Sequence, residues 1–273
     1  MSEADRMSEF ESSRLLIATT KRGDTAGVRR LVEKGADIDH VDEKGRTALL
    51  MASFYDQLEI ATVLLEEGAD VNKPIPPSIL AMPRVTPMCV AIGRGQLAMA
   101  QLLSSYGAAR AFDIGTGTGY ATTLGIITAE ELADQSRHAN LAAWLVTSCK
   151  WTTPLHHLTI IPAARAHALL RNGDSILAAA APGDPTPLSL ARELHATGEA
   201  AEGSAAALVL KAAAPWSRAT HELFPDAARA YAVRMLLVGH RLSRLPKYEK
   251  VAQAVFDLWV DHMMPHMVTR ESE

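Results

Sequence analysis

Apolar residues along this chain fall in short clusters at helical rather than alternating spacing, and the clusters recur. Between residues 42 and 72, Leu49 and Ala52 give one short helix a buried face, and Ile60, Ala61, Leu64 and Leu65 give a second. Gly45 and Thr47 open this stretch, and Gly68-Ala-Asp-Val-Asn72 closes it. The closing glycine supplies the left-handed backbone that stops a helix. Thr47 offers a hydroxyl to cap the first helix. The small Ala52 lets two helices approach closely. One such unit cannot bury its own apolar stripes, so it predicts copies stacked beside it.

The copies are present. A shift of 33 residues places Gly35-Ala-Asp-Ile38 on Gly68-Ala-Asp-Val71, and Leu31-Val32 on Leu64-Leu65. A forward shift of 39 places Thr86-Pro-Met88 on Thr47-Ala-Leu49, with Leu102-Leu103 and Gly107-Ala108 in phase. Thr153-Pro-Leu-His156 and Thr186-Pro-Leu-Ser189 follow, again 33 apart. On these markers the chain resembles the ankyrin-repeat family, whose period is 33 residues and whose repeats open with Thr-Pro-Leu-His. The resemblance implies an all-α ankyrin-repeat solenoid.

In chain order, the first repeat covers roughly 12–41 and the second 42–72. Four prolines between Lys73 and Pro83 exclude a continuous helix and predict an enlarged loop over 73–85. The third repeat runs from Thr86 to Gly107. A second insertion, 108–127, precedes a less regular fourth repeat from Thr128, with Leu141, Ala142, Trp144 and Leu145 on its outer helix. The fifth opens at Thr153 and the sixth at Thr186, whose outer helix is predicted over Ser204 to Ala213 with a turn at 198–203. The array is thus expected over 12–213 and a helical tail over 214–273. In the tail, one helix starts near Asp226 as its cap and shows Ala230, Val233, Leu236 and Leu237. A last helix carries Val251, Val255, Leu258 and Trp259 and is expected to end before Pro265.

Composition narrows the function classes. The formal net charge is −4, which argues against a long nucleic-acid groove. Two cysteines, Cys89 and Cys149, provide no disulfide framework and fit a reducing compartment. The polar N-terminus lacks the apolar run of a signal peptide, and no stretch is long and apolar enough to span a membrane. An intracellular, cytoplasmic location is expected, with the nucleus open.

Three constellations invite a chemical reading. Phe112-Asp-Ile-Gly-Thr-Gly-Thr-Gly-Tyr120 resembles the first motif of S-adenosylmethionine-dependent methyltransferases. That reading needs a buried strand before Asp113 and alternating strands and helices after it, whereas repeat openings follow at 128, 153 and 186. His156-His157 point in different directions on a helix, and the family implies that the first of them bonds the neighbouring repeat's backbone. His262 and His266 have a zinc-like spacing, but Pro265 lies between them and no acidic or cysteine ligand accompanies them. No cofactor, metal site or catalysed reaction is expected.

A surface remains. Family knowledge places partners on the loops joining repeats and the exposed ends of the inner helices. Here these positions carry Lys21, Arg22, Lys44, Arg46, Phe54, Tyr55 and Arg94. Aromatic rings beside arginine form a plausible anchor, because these types carry much interface energy. Packing of Phe54 under the adjacent loop is the alternative. The expected function is recognition of an unidentified protein partner, with the tail either capping the array or recruiting a ubiquitin ligase. Oligomeric state is left open.

Overall fold

The computed structural model describes residues 3–75, 85–113 and 126–270. Most of the expected 73–85 loop, and the glycine-rich run after Asp113, lie outside the described residues. The chain divides into two compact units, residues 1–149 and 150–273. Among the described residues every regular element is helical apart from one two-stranded ribbon, so the chain is an all-α repeat protein.

The first unit stacks helix pairs: α1 (Glu3–Arg22) with α2 (Thr25–Glu33), α3 (Ala48–Phe54) with α4 (Leu58–Glu66), α5 (Pro87–Gly93) with α6 (Leu97–Ser105), and α7 (Ala129–Gln135) with α8 (Ala139–Ser148). Inner helices α1, α3, α5 and α7 pack in sequence, and α4 sits between α2 and α6. The apolar clusters explain this order. Leu49, Ile60, Leu64, Met88, Ile92, Met99, Leu103, Leu141 and Leu145 are all buried. Ala52, Ala91 and Ala133 occupy the same place in successive inner helices and are fully buried, which permits close approach.

Local chemistry sets each boundary. Thr47, Thr86 and Thr128 cap α3, α5 and α7 by accepting the N–H groups of Leu50, Cys89 and Glu131. Between paired helices a left-handed residue recurs: Gly23, Asp56, Gly95 and Arg137, at φ 76°, 55°, 72° and 59°. At Asp56 and Arg137 a side chain is carried where glycine is favoured, at a cost of about 1–2 kcal/mol. Asp39 and Asn72, one period apart, tie each repeat to the next. The Asp39 carboxylate accepts the Asp70 N–H at 3.1 Å, and the Asn72 side chain accepts the Ala109 N–H at 2.7 Å.

The described ends of the 108–127 insertion form strand. Ala111–Asp113 pairs antiparallel with Ile126–Thr128, bringing buried Phe112 opposite buried Ile127. Arg110, beside the ribbon, donates to Leu145 O at 3.2 Å, Ser104 Oγ at 3.1 Å and Ser148 Oγ at 2.8 Å, so it joins α6 to the end of α8.

In the second unit, the fifth repeat departs from expectation. Its inner element is one 3₁₀ turn, Pro154–His156, before α9 (Ala163–Asn172). Pro162 disfavours helix at Ile161, and the β-branched run Thr159-Ile-Ile161 resists it as well. The sixth repeat is regular: α10 (Pro187–Ala196) and α11 (Ala205–Ala212), the latter capped by Ser204. These elements share a core of Leu155, Leu170, Ile176, Leu188, Val209 and Leu223.

The tail contains α12 (Asp226–Ser243), α13 (Ala252–Leu258) and α14 (Met264–Met267), and Ala232 and Met264 of these helices share an adjoining core with Trp216, Phe224, Val260 and Val268 from the segments around them. Three expectations change here. Asp226 is the first helical residue rather than the cap, and its carboxylate pairs with Arg171 and Arg229. Of the four apolar residues singled out on α12, Ala230, Val233 and Leu237 are exposed and only Leu236 packs on the core, alongside the buried Ala232, Gly239 and Ser243. The last helix does not stop before Pro265. A π-helical turn over Trp259–Met263 passes the chain into α14, with Pro265 in its first turn. Gly239 lies so close to the Trp259 ring that an added Cβ would collide with it.

Candidate partner-binding surface

The singled-out residues fall into two groups and one outlier. The first group surrounds Asp42 in the loop between repeats one and two. Its Oδ1 accepts the backbone N–H groups of Lys44 and Arg46, each at 3.0 Å. Its Oδ2 receives Arg46 Nε at 2.9 Å, Arg46 Nη2 at 2.6 Å and Lys21 Nζ at 3.4 Å. Burial alone would raise the Asp42 pKa. The hydrogen bonds from Arg46 and from the loop backbone outweigh it and bring the pKa down to about 2. The carboxylate is therefore charged throughout the physiological range and shapes the loop around itself.

Arg14, Ile17, Ala18 and Lys21 recur on one face of α1 at helical spacing and, with His40 to Lys44 and Arg46, line an open cleft of about 550 Å³. Lys21, Lys44 and Arg46 thus meet there. Arg22 does not: the adjacent helical position turns it away, to bond Thr19 Oγ1 at 3.3 Å. Asp42 was missed in sequence. Its signal was an aspartate two residues before an unpaired backbone N–H in a glycine-bearing loop, the pattern of a side-chain-closed turn.

The second group lies at the other ends of the inner helices. Phe54 and Tyr55 are 41% and 49% exposed and meet edge to face, with centroids 5.2 Å apart at 83°. The Arg94 guanidinium, from the end of α5, stands 4.3 Å over the Phe54 ring. Phe54 is therefore not packed beneath the neighbouring loop. The two groups are separated by the length of α3, whose seven residues span roughly 10 Å.

The other singled-out side chains have structural partners. His156 is 1% exposed; its Nδ1 faces the Thr153 N–H at 3.2 Å and its Nε2 faces Pro185 O at 3.1 Å. A neutral ring that accepts at Nδ1 and donates at Nε2 satisfies both contacts and links the fifth repeat to the sixth. Burial lowers its pKa, against the smaller opposing effect of these bonds. His262 and His266 are exposed, and no group of three or more His, Cys, Asp or Glu side chains suited to a metal occurs among the described residues. Asp113 ends a strand of a two-stranded ribbon, not one of a central parallel sheet, and the remainder of its glycine-rich motif lies outside the described residues. No helix among the described residues is long and apolar enough to cross a membrane.

Comparison with known proteins agrees with the fold. The ankyrin-repeat family matches residues 2–75, in three copies. The chain is 35% identical over 57 residues to the ankyrin repeat protein YahD of Escherichia coli (strain K12), covering 21% of this chain and 28% of that one. It is 38% identical over 72 residues to the transient receptor potential-gamma protein of Drosophila melanogaster, covering 24% of this chain and 6% of that one. It is 31% identical over 146 residues to the E3 ubiquitin-protein ligase Ufd4 of Drosophila melanogaster, covering 53% of this chain and 5% of that one. The chain thus spans under a third of the length of each of these curated relatives. Residues 2–75 carry ankyrin repeats, and the helix-pair geometry they establish recurs through residue 148 and again at residues 187–212.

Proposed function

We propose that the chain is a non-catalytic recognition module whose first unit binds a protein partner through its inner-helix ends and the Asp42-centred loop. The observation that carries this reading is the Phe54–Tyr55–Arg94 group: two large rings held in solvent, one in edge contact with the other and one beneath a guanidinium. Aromatic and arginine side chains dominate interface energies, and rings already fixed by contact lose little freedom on binding. The cleft beside Lys21 and Lys44 supplies a charged second contact. Arg46 serves there mainly to brace the loop, because Asp42 already holds it.

The tail, from residue 214 on, is proposed to cap the fifth and sixth repeats. Arg270 supports this role by donating to Leu170 O at 2.6 Å, near the end of α9, and to Leu223 O at 2.5 Å. A second reading, presentation of a target to a ubiquitin ligase, is supported by the likeness to Ufd4 alone.

A photo-crosslinking amino acid at position 55 tests the reading, with one at Glu66, on the exposed side of α4, as control. Adducts to a protein at 55 and not at 66 are expected. Equal labelling at the two positions, or labelling at 66 alone, overturns it.

A further inference from the structure

The side of α12 that faces away from the tail core does not look like the outside of a simple cap. Tyr231, Val238 and Leu242 follow one another at helical return spacing and are 37%, 40% and 38% exposed, with Leu245 continuing the line just past the helix. Val233 and Leu237, four apart, make a second stripe and are 49% and 56% exposed. Arg234 and Arg241 lie between the two stripes, seven residues apart, and Arg244, Lys247 and Lys250 follow. None of these five bases has a carboxylate partner among the described residues. Between residues 227 and 250 there are six basic residues and one acidic residue, although the whole chain carries a net charge of −4.

We propose that this face is a docking surface for an acidic amphipathic helix of a protein partner. A surface helix normally keeps its apolar stripe toward the core and polar residues outside. Here the outward arc carries apolar residues and unneutralised arginines together. Arg234 and Arg241 are two turns apart, about 10.5 Å along the axis, so carboxylates seven residues apart on a facing helix meet both. Arginine suits that role because its planar fork pairs with carboxylates. The apolar stripes on either side would receive the partner's leucine-type residues. Charge argues against a second copy of this same face, because like charges would be placed opposite each other. It also argues against a lipid surface: the arginines sit between the stripes rather than at their edges, so both stripes cannot enter hydrocarbon without carrying the charges with them.

The test uses the full chain and two labelled 18-residue helical peptides. One carries leucine stripes and glutamate pairs seven apart; the other has lysine in place of each glutamate. Fluorescence anisotropy should show the glutamate peptide binding at least roughly tenfold more tightly than the lysine peptide, with affinity falling as salt rises. R234E/R241E, at exposed positions, should lose that binding by a similar factor while its circular dichroism and melting stay unchanged. L237D/L242D should lose it as well. Equal binding of the two peptides, no binding, or undiminished binding by R234E/R241E overturns the proposal. So does binding of phosphatidylserine vesicles in place of the peptide, or a dimer that R234E/R241E abolishes.

Discussion

Thr47-Ala-Leu-Leu-Met-Ala-Ser-Phe54 and Thr153-Pro-Leu-His-His-Leu-Thr-Ile160 both open on an extended threonine, yet one gives a two-turn helix and the other a single 3₁₀ turn. The first is followed by no proline until Pro74; the second meets Pro162 after a β-branched run. An opening motif therefore marks where a repeat begins, but the residues after it decide what element forms. The fifth repeat compensates by other means. His156 bridges to Pro185 O, and the stack is continued by α9 to α11. At this one repeat a single side chain takes over part of what a paired inner helix does in the first unit.

That contrast can be broken at several strengths. Leu64→Ala should have the largest effect, about 2–5 kcal/mol from a fully buried site. Hydrogen exchange should report the loss in α3 to α6 and leave α10 to α14 unchanged. Gly239→Ala should cost about 1–3 kcal/mol in the tail core, because the new methyl group must displace the Trp259 ring. Tryptophan fluorescence is the direct readout.

His156→Phe should cost about 1–3 kcal/mol by leaving backbone groups of Thr153 and Pro185 unpaired. It also has a pH signature. The folded ring is held neutral by burial, whereas the unfolded chain takes up a proton near the ordinary value of 6.5. The ring's contribution is complete above that pH and is lost as pH falls from there toward the lower folded value. Denaturant titrations across this window should slope downward in the wild type and more weakly in His156→Phe.

Thr47→Ala should cost about 1 kcal/mol through the lost cap on α3. The smallest expected change is a gain: Arg137→Gly relieves a side chain held at φ 59° and should raise stability by up to about 1 kcal/mol. Thermal melting distinguishes the two by sign.

The helix pairs of the first unit were legible because their signals are local: a threonine cap, leucines four apart, and a glycine stop. The outer helix expected over Ser204 to Ala213 forms as α11, with Ser204 serving as its cap. The tail was less legible. Val233 and Leu237 have the spacing of a buried stripe, but Ala232, Gly239 and Ser243 are small enough for Trp259 and its neighbours to pack on the opposite side. Sequence spacing does not say which of two faces a partner element will choose. At the candidate surface, the exposure of Phe54 and Tyr55 was one of two open alternatives. Sequence placed Lys21 and Arg22 together, and helix geometry separates them.

Affinity capture with the full chain, followed by mass spectrometry, tests the central claim most directly when wild type is compared with F54A/Y55A. Both side chains are exposed, so the variant should retain the wild-type helical spectrum. The account predicts that proteins captured specifically by the wild type are depleted at least roughly tenfold by the variant. Recovery of the same proteins in the same amounts would contradict it, and would move the partner-binding surface away from Phe54, Tyr55 and Arg94.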